Sequence, residues 1–249
     1  MTYKAIMLDL DDTTVVHGKE NLPSERVASA IARAKEVIHV CLATARPLRE
    51  AISIMDYLNL SGPCVIADGT QIYDPVKKKI IHNIVLPHGF PSAIYDVLLK
   101  NSLETLLYDG EKDTPYDGGS APKKILGVYI PHVQPTEVDR LVDILSINPA
   151  IHVQKLPAWD KGFMSIHITS SEASKLHGIL KVAKILNIKT EEIIGVGDGY
   201  NDFPLLMACG LKIAMGNAVP ELKSIADFVA PSVYDDGVAT VIEKFVLTS

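Results

Sequence analysis

Residues 4–8, a lysine followed by four apolar side chains, lead straight into Asp9, and Asp11 and Asp12 follow within three positions. A short apolar run without alternation fits a strand buried on both faces, as in a parallel sheet. Alternate residues of a strand share a face, so Asp9 and Asp11 point the same way until the strand ends. A lone aspartate after a strand is usually a turn residue. Three together crowd like charges, which is unfavourable unless something positive compensates. Carboxylate and carbonyl oxygens suit Mg²⁺, which keeps several waters and completes its shell with substrate phosphate.

A second apolar run ends the same way. Residues 192–197 lead into Asp198, and Gly199, Tyr200, Asn201 and Asp202 follow. Gly195, Val196 and Gly197 raise the possibility of a dinucleotide fingerprint, but that pattern needs glycine where Tyr200 stands. Asp198 and Asp202 would also repel a pyrophosphate. Two more positions offer groups an anion needs. Thr44 closes a third apolar run; its hydroxyl can donate to a phosphate oxygen, or it can cap the helix that follows Pro47. Lys175 falls in the first turns of a helix beginning near Ser171, where the macrodipole disfavours a cation. It is either a plain surface lysine or the partner of an acidic cluster. Arg46 has two readings as well, a substrate contact or an exposed helix-start arginine.

The elements around these residues set the frame. Strands are expected at 4–10, 37–43 and 64–68, with helices from Ser24, where Val27, Ala30, Ile31 and Ala34 keep the 3.6 period, and from about Pro47. Residues 71–85 read as a small hairpin with Lys77, Lys78 and Lys79 at its solvated tip. From 86 to 170 the rhythm changes to helix (90–100), strand (105–109), a loop rich in Asp, Gly and Pro, strand (125–130), helix (136–146) and strands at 150–156 and 163–169. Short connections between sequential strands imply antiparallel pairing. After 171 the earlier rhythm returns. A helix spans 172–186 with Leu176, Ile179, Leu180 and Ala183 on one face. Strands follow at 192–197, 211–215 and 227–230, and helices at 203–209, 219–226 and 237–246. The expected fold is α/β, a doubly wound and mostly parallel sheet formed by residues 1–85 and 171–249. A smaller α+β domain, 86–170, is inserted.

The bulk numbers narrow the function classes. The chain has 249 residues, 47% of them hydrophobic, enough for a large core. A net charge of −6 and the lack of a basic stripe argue against a nucleic-acid partner. No apolar stretch approaches the roughly 18 residues of a membrane span, and no targeting peptide is visible. Cys41, Cys64 and Cys209 are far apart in apolar or small-residue surroundings and read as reduced, buried thiols. A cytoplasmic protein is expected.

Taken jointly, Asp9-Leu10-Asp11-Asp12-Thr13, Thr44, Lys175 and Gly197-Asp198-Gly199-Tyr200-Asn201-Asp202 resemble, in that order, the four motifs of the haloacid dehalogenase superfamily. The stretch Ile213-Ala214-Met215-Gly216-Asn217-Ala218, with Ala226-Asp227 and Asp236-Gly237-Val238-Ala239 beyond it, is similar to the Cof-type phosphatases, the branch with a C2B-type α+β cap. The resemblance implies an Mg²⁺-dependent phosphatase acting on small organic phosphate monoesters such as sugar phosphates or phosphoglycolate. Asp9 would be the nucleophile that carries the phosphoryl group, and Asp11 the general acid and base. Asp9, the Asp11 backbone carbonyl and Asp198 would hold the metal, with Asp202 joining directly or through water. Thr44, Lys175 and Asn201 would bind phosphoryl oxygens. A cap over such a site would exclude water and large substrates, and specificity is expected near loop 110–124. Ala45, the Lys175-Leu176-His177-Gly178 run and Ala67-Asp68-Gly69 depart from the usual Thr-Gly-Arg, Lys-Gly and Asn-Gly, away from the catalytic groups. Other chemistries on such residues are a phosphomutase, a dehalogenase, which Asp11 and the metal-binding acids oppose, a receiver-type phospho-acceptor, whose shorter, capless chain fits poorly, or a binding protein without catalysis.

Overall fold

A computed structural model describes residues 3–18, 22–87, 90, 94, 103–119, 122–158 and 160–248. Its strands are β1 (Ala5–Leu8), β2 (His39–Leu42), β3 (Cys64–Ile66), β4 (Gln71–Asp74), β5 (Lys79–Asn83), β6 (Leu106–Tyr108), β7 (Asp113–Pro115), β8 (Gly127–Val133), β9 (Ile151–Pro157), β10 (Met164–Ser170), β11 (Ile193–Gly197), β12 (Leu211–Ala214) and β13 (Phe228–Val229). The chain divides into two compact units, residues 1–82 with 174–249, and residues 83–173.

The first unit is built on a parallel sheet in the order β13-β12-β11-β1-β2. A bridge between Ala43 and Val65 continues it toward β3. All four residues of β1 and all five of β11 are buried, as a strand covered on both faces requires. Helix Glu25–Ala34 starts at Ser24, whose hydroxyl accepts from the Val27 N–H at 3.1 Å. It buries the expected Val27, Ala30, Ile31 and Ala34 and packs on helix Gly237–Phe245. Helix Lys175–Leu186 packs on helix Phe203–Ala208. Chain order runs outward from β1 through β2, then restarts at β11 on the other side of β1 and runs outward to β13. The crevice beyond the carboxyl ends of β1 and β11 is therefore the topological switch point, where open α/β sheets bind ligands.

The second unit holds an antiparallel sheet in the order β7-β6-β8-β10-β9 and helix Val138–Leu145. Its own core includes Leu107, Val128, Ile130, Leu141, Ile166 and Ile168, joined by Phe90 and Ile94. The rest of the helix expected at 90–100 lies outside the described residues.

Three expectations need correction. Part of the 110–124 loop is a strand, β7, paired with β6; a threonine and a proline among charged residues hide an edge strand from pattern reading. Pro47 is the N-cap of helix Leu48–Tyr57, rather than Thr44. Helix Lys175–Leu186 is rotated from the expected face: it buries Lys175, Gly178, Ile179, Val182 and Ala183, while Leu180 is 40% exposed. The buried lysine and the packing of Gly178 set that rotation. A Cβ on Gly178 would lie 2.4 Å from Val65 Cγ1, so only glycine lets the helix approach β3 this closely.

Gly178→Ala should therefore destabilise the protein by about 1–3 kcal/mol through overpacking, although alanine is the better helix former. Urea denaturation checks the sign, and Val65→Ala in the same chain should recover most of the loss.

Candidate active site

The register of the parallel sheet decides which side chains meet. Leu8 lies beside Leu42 on one side and Val196 on the other, so the residues just beyond these strands emerge at one edge. Asp9, which donates its N–H to the Val196 carbonyl at 2.9 Å, Thr44 and Asp198 stand there. Asp202 follows on the short 3-10 turn Tyr200–Asp202. A Cβ on Gly197 would come within 2.5 Å of the Asp202 side chain, so this glycine allows the turn to fold back over the strand end.

Carboxylate oxygens of Asp9, Asp198 and Asp202 lie within 4.8 Å of one another. The Lys175 ammonium is 2.5 Å from Asp9 Oδ1 and 2.6 Å from Asp202 Oδ1, and its side chain is 3% exposed. Lys175 is the first residue of its helix, and Ser174 caps it by accepting from the His177 N–H. The two carboxylates offset the unfavourable placement of a cation at a helix N-terminus. The other oxygen of Asp202 accepts from the N–H groups of Asp198 (2.9 Å) and Gly199 (3.0 Å). Thr13 donates to Asp198 Oδ1 at 2.8 Å, and Thr14 donates to the Asp9 backbone carbonyl at 2.6 Å.

Three carboxylates face one ammonium in a space largely closed to water. Burial, reinforced by Asp202, pushes the Asp9 carboxyl well above the usual range against the pull of Lys175. Burial and then Asp202 push Asp198 up to about 7, with the Thr13 hydroxyl opposing. Despite its burial, Lys175 is held above the usual lysine value by Asp202 and Asp9. The donor set is hard oxygen with unmatched negative charge, which fits a divalent cation of the Mg²⁺ type.

Asp11 has a different partner. Arg46 grips both of its oxygens, Nε to Oδ2 at 2.8 Å and Nη2 to Oδ1 at 2.5 Å. Arg46 is 4% exposed, so the exposed helix-start reading does not hold. Thr44 is buried, and its oxygen accepts from the Arg46 N–H at 3.1 Å, which retains the hydroxyl hydrogen for donation. Asn201 sits one residue before Asp202 on the same turn. Thr13, Thr14 and Asn217 were not marked as functional in the sequence. Asn217 donates to the Asp12 carbonyl at 2.7 Å and accepts from the Val233 N–H at 2.8 Å, pinning the loop after β1. The hydroxyls directly after the acidic cluster were the available signal for Thr13 and Thr14, whereas Asn217 stands in the 213–218 stretch that carries the Cof-type resemblance, which gave it no role.

A buried carboxylate cluster thus stands beside one lysine at the switch point of a parallel sheet, where open α/β sheets bind ligands. The model of the haloacid dehalogenase-like hydrolases matches residues 6–125 and 134–242. The chain belongs to that family. It is similar to the 5-amino-6-(5-phospho-D-ribitylamino)uracil phosphatase YwtE of Bacillus subtilis, 27% identical over an alignment of 285 residues covering 97% of each chain. A phosphoglycolate phosphatase of Methanopyrus kandleri is 38% identical over 108 residues, 43% of this chain and 44% of that one. Among solved structures, a haloacid dehalogenase-like hydrolase from Bacteroides thetaiotaomicron superposes with a TM-score of 0.82 at 23% identity, covering 98% of this chain and 99% of that one. The Cof-type resemblance and the doubly wound fold with an inserted α+β unit hold. Among the described residues no helix is long and apolar enough to cross a membrane.

Two outcomes follow from the charge balance. Lys175→Met leaves Asp9 and Asp202 facing each other in the core, and should cost about 3–5 kcal/mol in urea denaturation at neutral pH. Asp198 binds its proton more tightly folded than unfolded, where an aspartate titrates near about 3.9. Its stabilisation is therefore full below about pH 4 and lost as pH rises to about 7. In chelator the thermal midpoint should fall across that window, and Mg²⁺ should raise it more at about pH 8 than at about pH 5. A midpoint indifferent to Mg²⁺ at both values would contradict this charge balance.

Proposed function

We propose that the chain is an Mg²⁺-dependent phosphatase that hydrolyses small organic phosphate monoesters through an aspartyl-phosphate on Asp9. The observation that carries this reading is the buried contact of Lys175 with Asp9 and Asp202, beside Asp198. A carboxylate nucleophile and a phosphate ester are both anionic, so their approach needs fixed positive charge. Lys175 supplies part of it. Mg²⁺, held by Asp9, the Asp11 backbone carbonyl and Asp198, would supply the rest and draw charge from the phosphoryl oxygens. Both Asp202 oxygens already accept hydrogen bonds, which favours a role through water and through Lys175.

In the first half-reaction an Asp9 oxygen attacks phosphorus and the ester P–O bond breaks. Asp11 gives the departing alkoxide its proton. In the second, water attacks the phosphorus of the aspartyl-phosphate, Asp11 takes its proton, and the bond to Asp9 breaks to release inorganic phosphate. Thr44, Lys175 and Asn201 would hold the transferring oxygens. The named activities of YwtE and the Methanopyrus kandleri enzyme, two different small phosphate esters, support the substrate class without choosing within it. Three buried, reduced thiols accord with a cytoplasmic enzyme.

Purified protein should turn over p-nitrophenyl phosphate in Mg²⁺, fall silent in EDTA and recover on Mg²⁺ addition. Asp9→Asn should fold normally and lose at least about 10³-fold in kcat. Steady activity in that variant, or full activity in chelator, would refute the nucleophile or the metal respectively.

A further inference from the structure

We infer that Arg46 is a positioning residue that fixes the Asp11 carboxylate for both proton transfers, rather than a group that binds substrate. The inference rests on the phosphatase reading and concerns a part of the site that reading leaves open. Asp11 side-chain exposure is 27%, and the loop beyond it turns at once through a left-handed Asp12 (φ 54°). Left to itself, a short carboxylate in such a place samples several rotamers. Arg46 removes that freedom by meeting both oxygens, which fixes the carboxylate plane in a way a single contact does not. His17 Nδ1 also approaches Asp11 Oδ1, at 3.4 Å.

The guanidinium is itself anchored. Nη2 also donates to the Gly18 carbonyl at 3.2 Å, and Nη1 reaches the Glu50 carbonyl, on helix Leu48–Tyr57, at 3.5 Å. The Arg46 backbone N–H donates to Thr44 Oγ1. One buried arginine thus joins the loop after β1, the loop after β2 and the following helix, and four of its five side-chain N–H groups are directed to acceptors in the protein. With its side chain 3% exposed, the guanidinium presents little surface to a substrate phosphate. Asp11 must place an oxygen near the leaving group in one half-reaction and near the attacking water in the other. A misplacement of about 1 Å can cost about 10²-fold in such transfers.

The test uses a good and a poor leaving group. p-Nitrophenolate departs without a proton, whereas a primary alkoxide does not. With p-nitrophenyl phosphate, Arg46→Gln should still form the phosphoenzyme quickly and hydrolyse it slowly. The expected trace is a burst of about one nitrophenolate per enzyme before slow turnover. With a primary alkyl phosphate no burst is expected, and kcat should fall about 10²-fold while KM moves by less than about threefold. In an Asp11→Asn chain, Arg46→Gln should change kcat by less than about threefold, because both act through one carboxylate. Arg46→Lys keeps the charge with a single contact; it should lose less than Arg46→Gln, and it carries the test if Arg46→Gln fails to fold by circular dichroism.

A rise in KM for both substrates with kcat unchanged would assign Arg46 to substrate binding and overturn the inference. Losses that multiply in the double variant would overturn it too. Both outcomes leave the phosphatase reading standing, whereas a wild-type protein inert toward both substrates would remove that reading and this inference together.

Discussion

The structure depends on one buried ammonium. Lys175 lies between Asp9 and Asp202, within 2.5 Å and 2.6 Å of their oxygens, and without it three carboxylates would share a closed space with no fixed counter-charge. Attraction at that distance in a poorly solvated site is strong, but removing the charges from water is costly. The arrangement is therefore not an efficient source of stability. It is a source of geometry: it sets the rotation of helix Lys175–Leu186, draws the turn at Asp202 back over the end of β11, and leaves negative charge for a cation to match.

Backbone features make that contact possible. Parallel register brings the ends of β1, β2 and β11 to one edge, and the switch in strand order opens a crevice between β1 and β11. Gly178 permits the close approach of the lysine helix to β3, and Gly197 the folding back of Asp202. Thr13 and Thr14 then tie the loop after β1 to Asp198 and to the Asp9 backbone. The carboxylates do not act alike. Asp9, Asp198 and Asp202 are drawn together around Lys175, while Asp11, two residues from Asp9, is gripped by Arg46. Separate environments for neighbouring acids would let one act as the proposed nucleophile and the other as the proposed proton carrier.

Much of this was legible in the sequence because the signals were local. Apolar runs ending in acids located β1 and β11, and Ser24 with its 3.6-period face located the first helix. Lys175 at a helix start conflicted with the macrodipole, which left it either a surface lysine or the partner of an acidic cluster until the motifs were taken jointly. What was not legible depended on partners distant in sequence. The buried face of the lysine helix was misread because Leu176 and Leu180 fit an apolar stripe better than a lysine and a glycine do, yet Asp9, Asp202 and Val65 decide its rotation. The Arg46–Asp11 pair spans 35 positions and has no spacing signature. Asn217 acts through backbone groups on either side of it, and β7 is an edge strand whose side chains carry no apolar alternation.

The proposed chemistry forms a covalent bond at a single carboxylate, and trapping tests that most directly. Protein mixed with a phosphate monoester in Mg²⁺, quenched in acid within the first turnover and mapped by peptide mass spectrometry, should carry a phosphoryl group on the peptide holding Asp9. Turnover in the same mixture with no adduct, or with the adduct on another peptide, would contradict it.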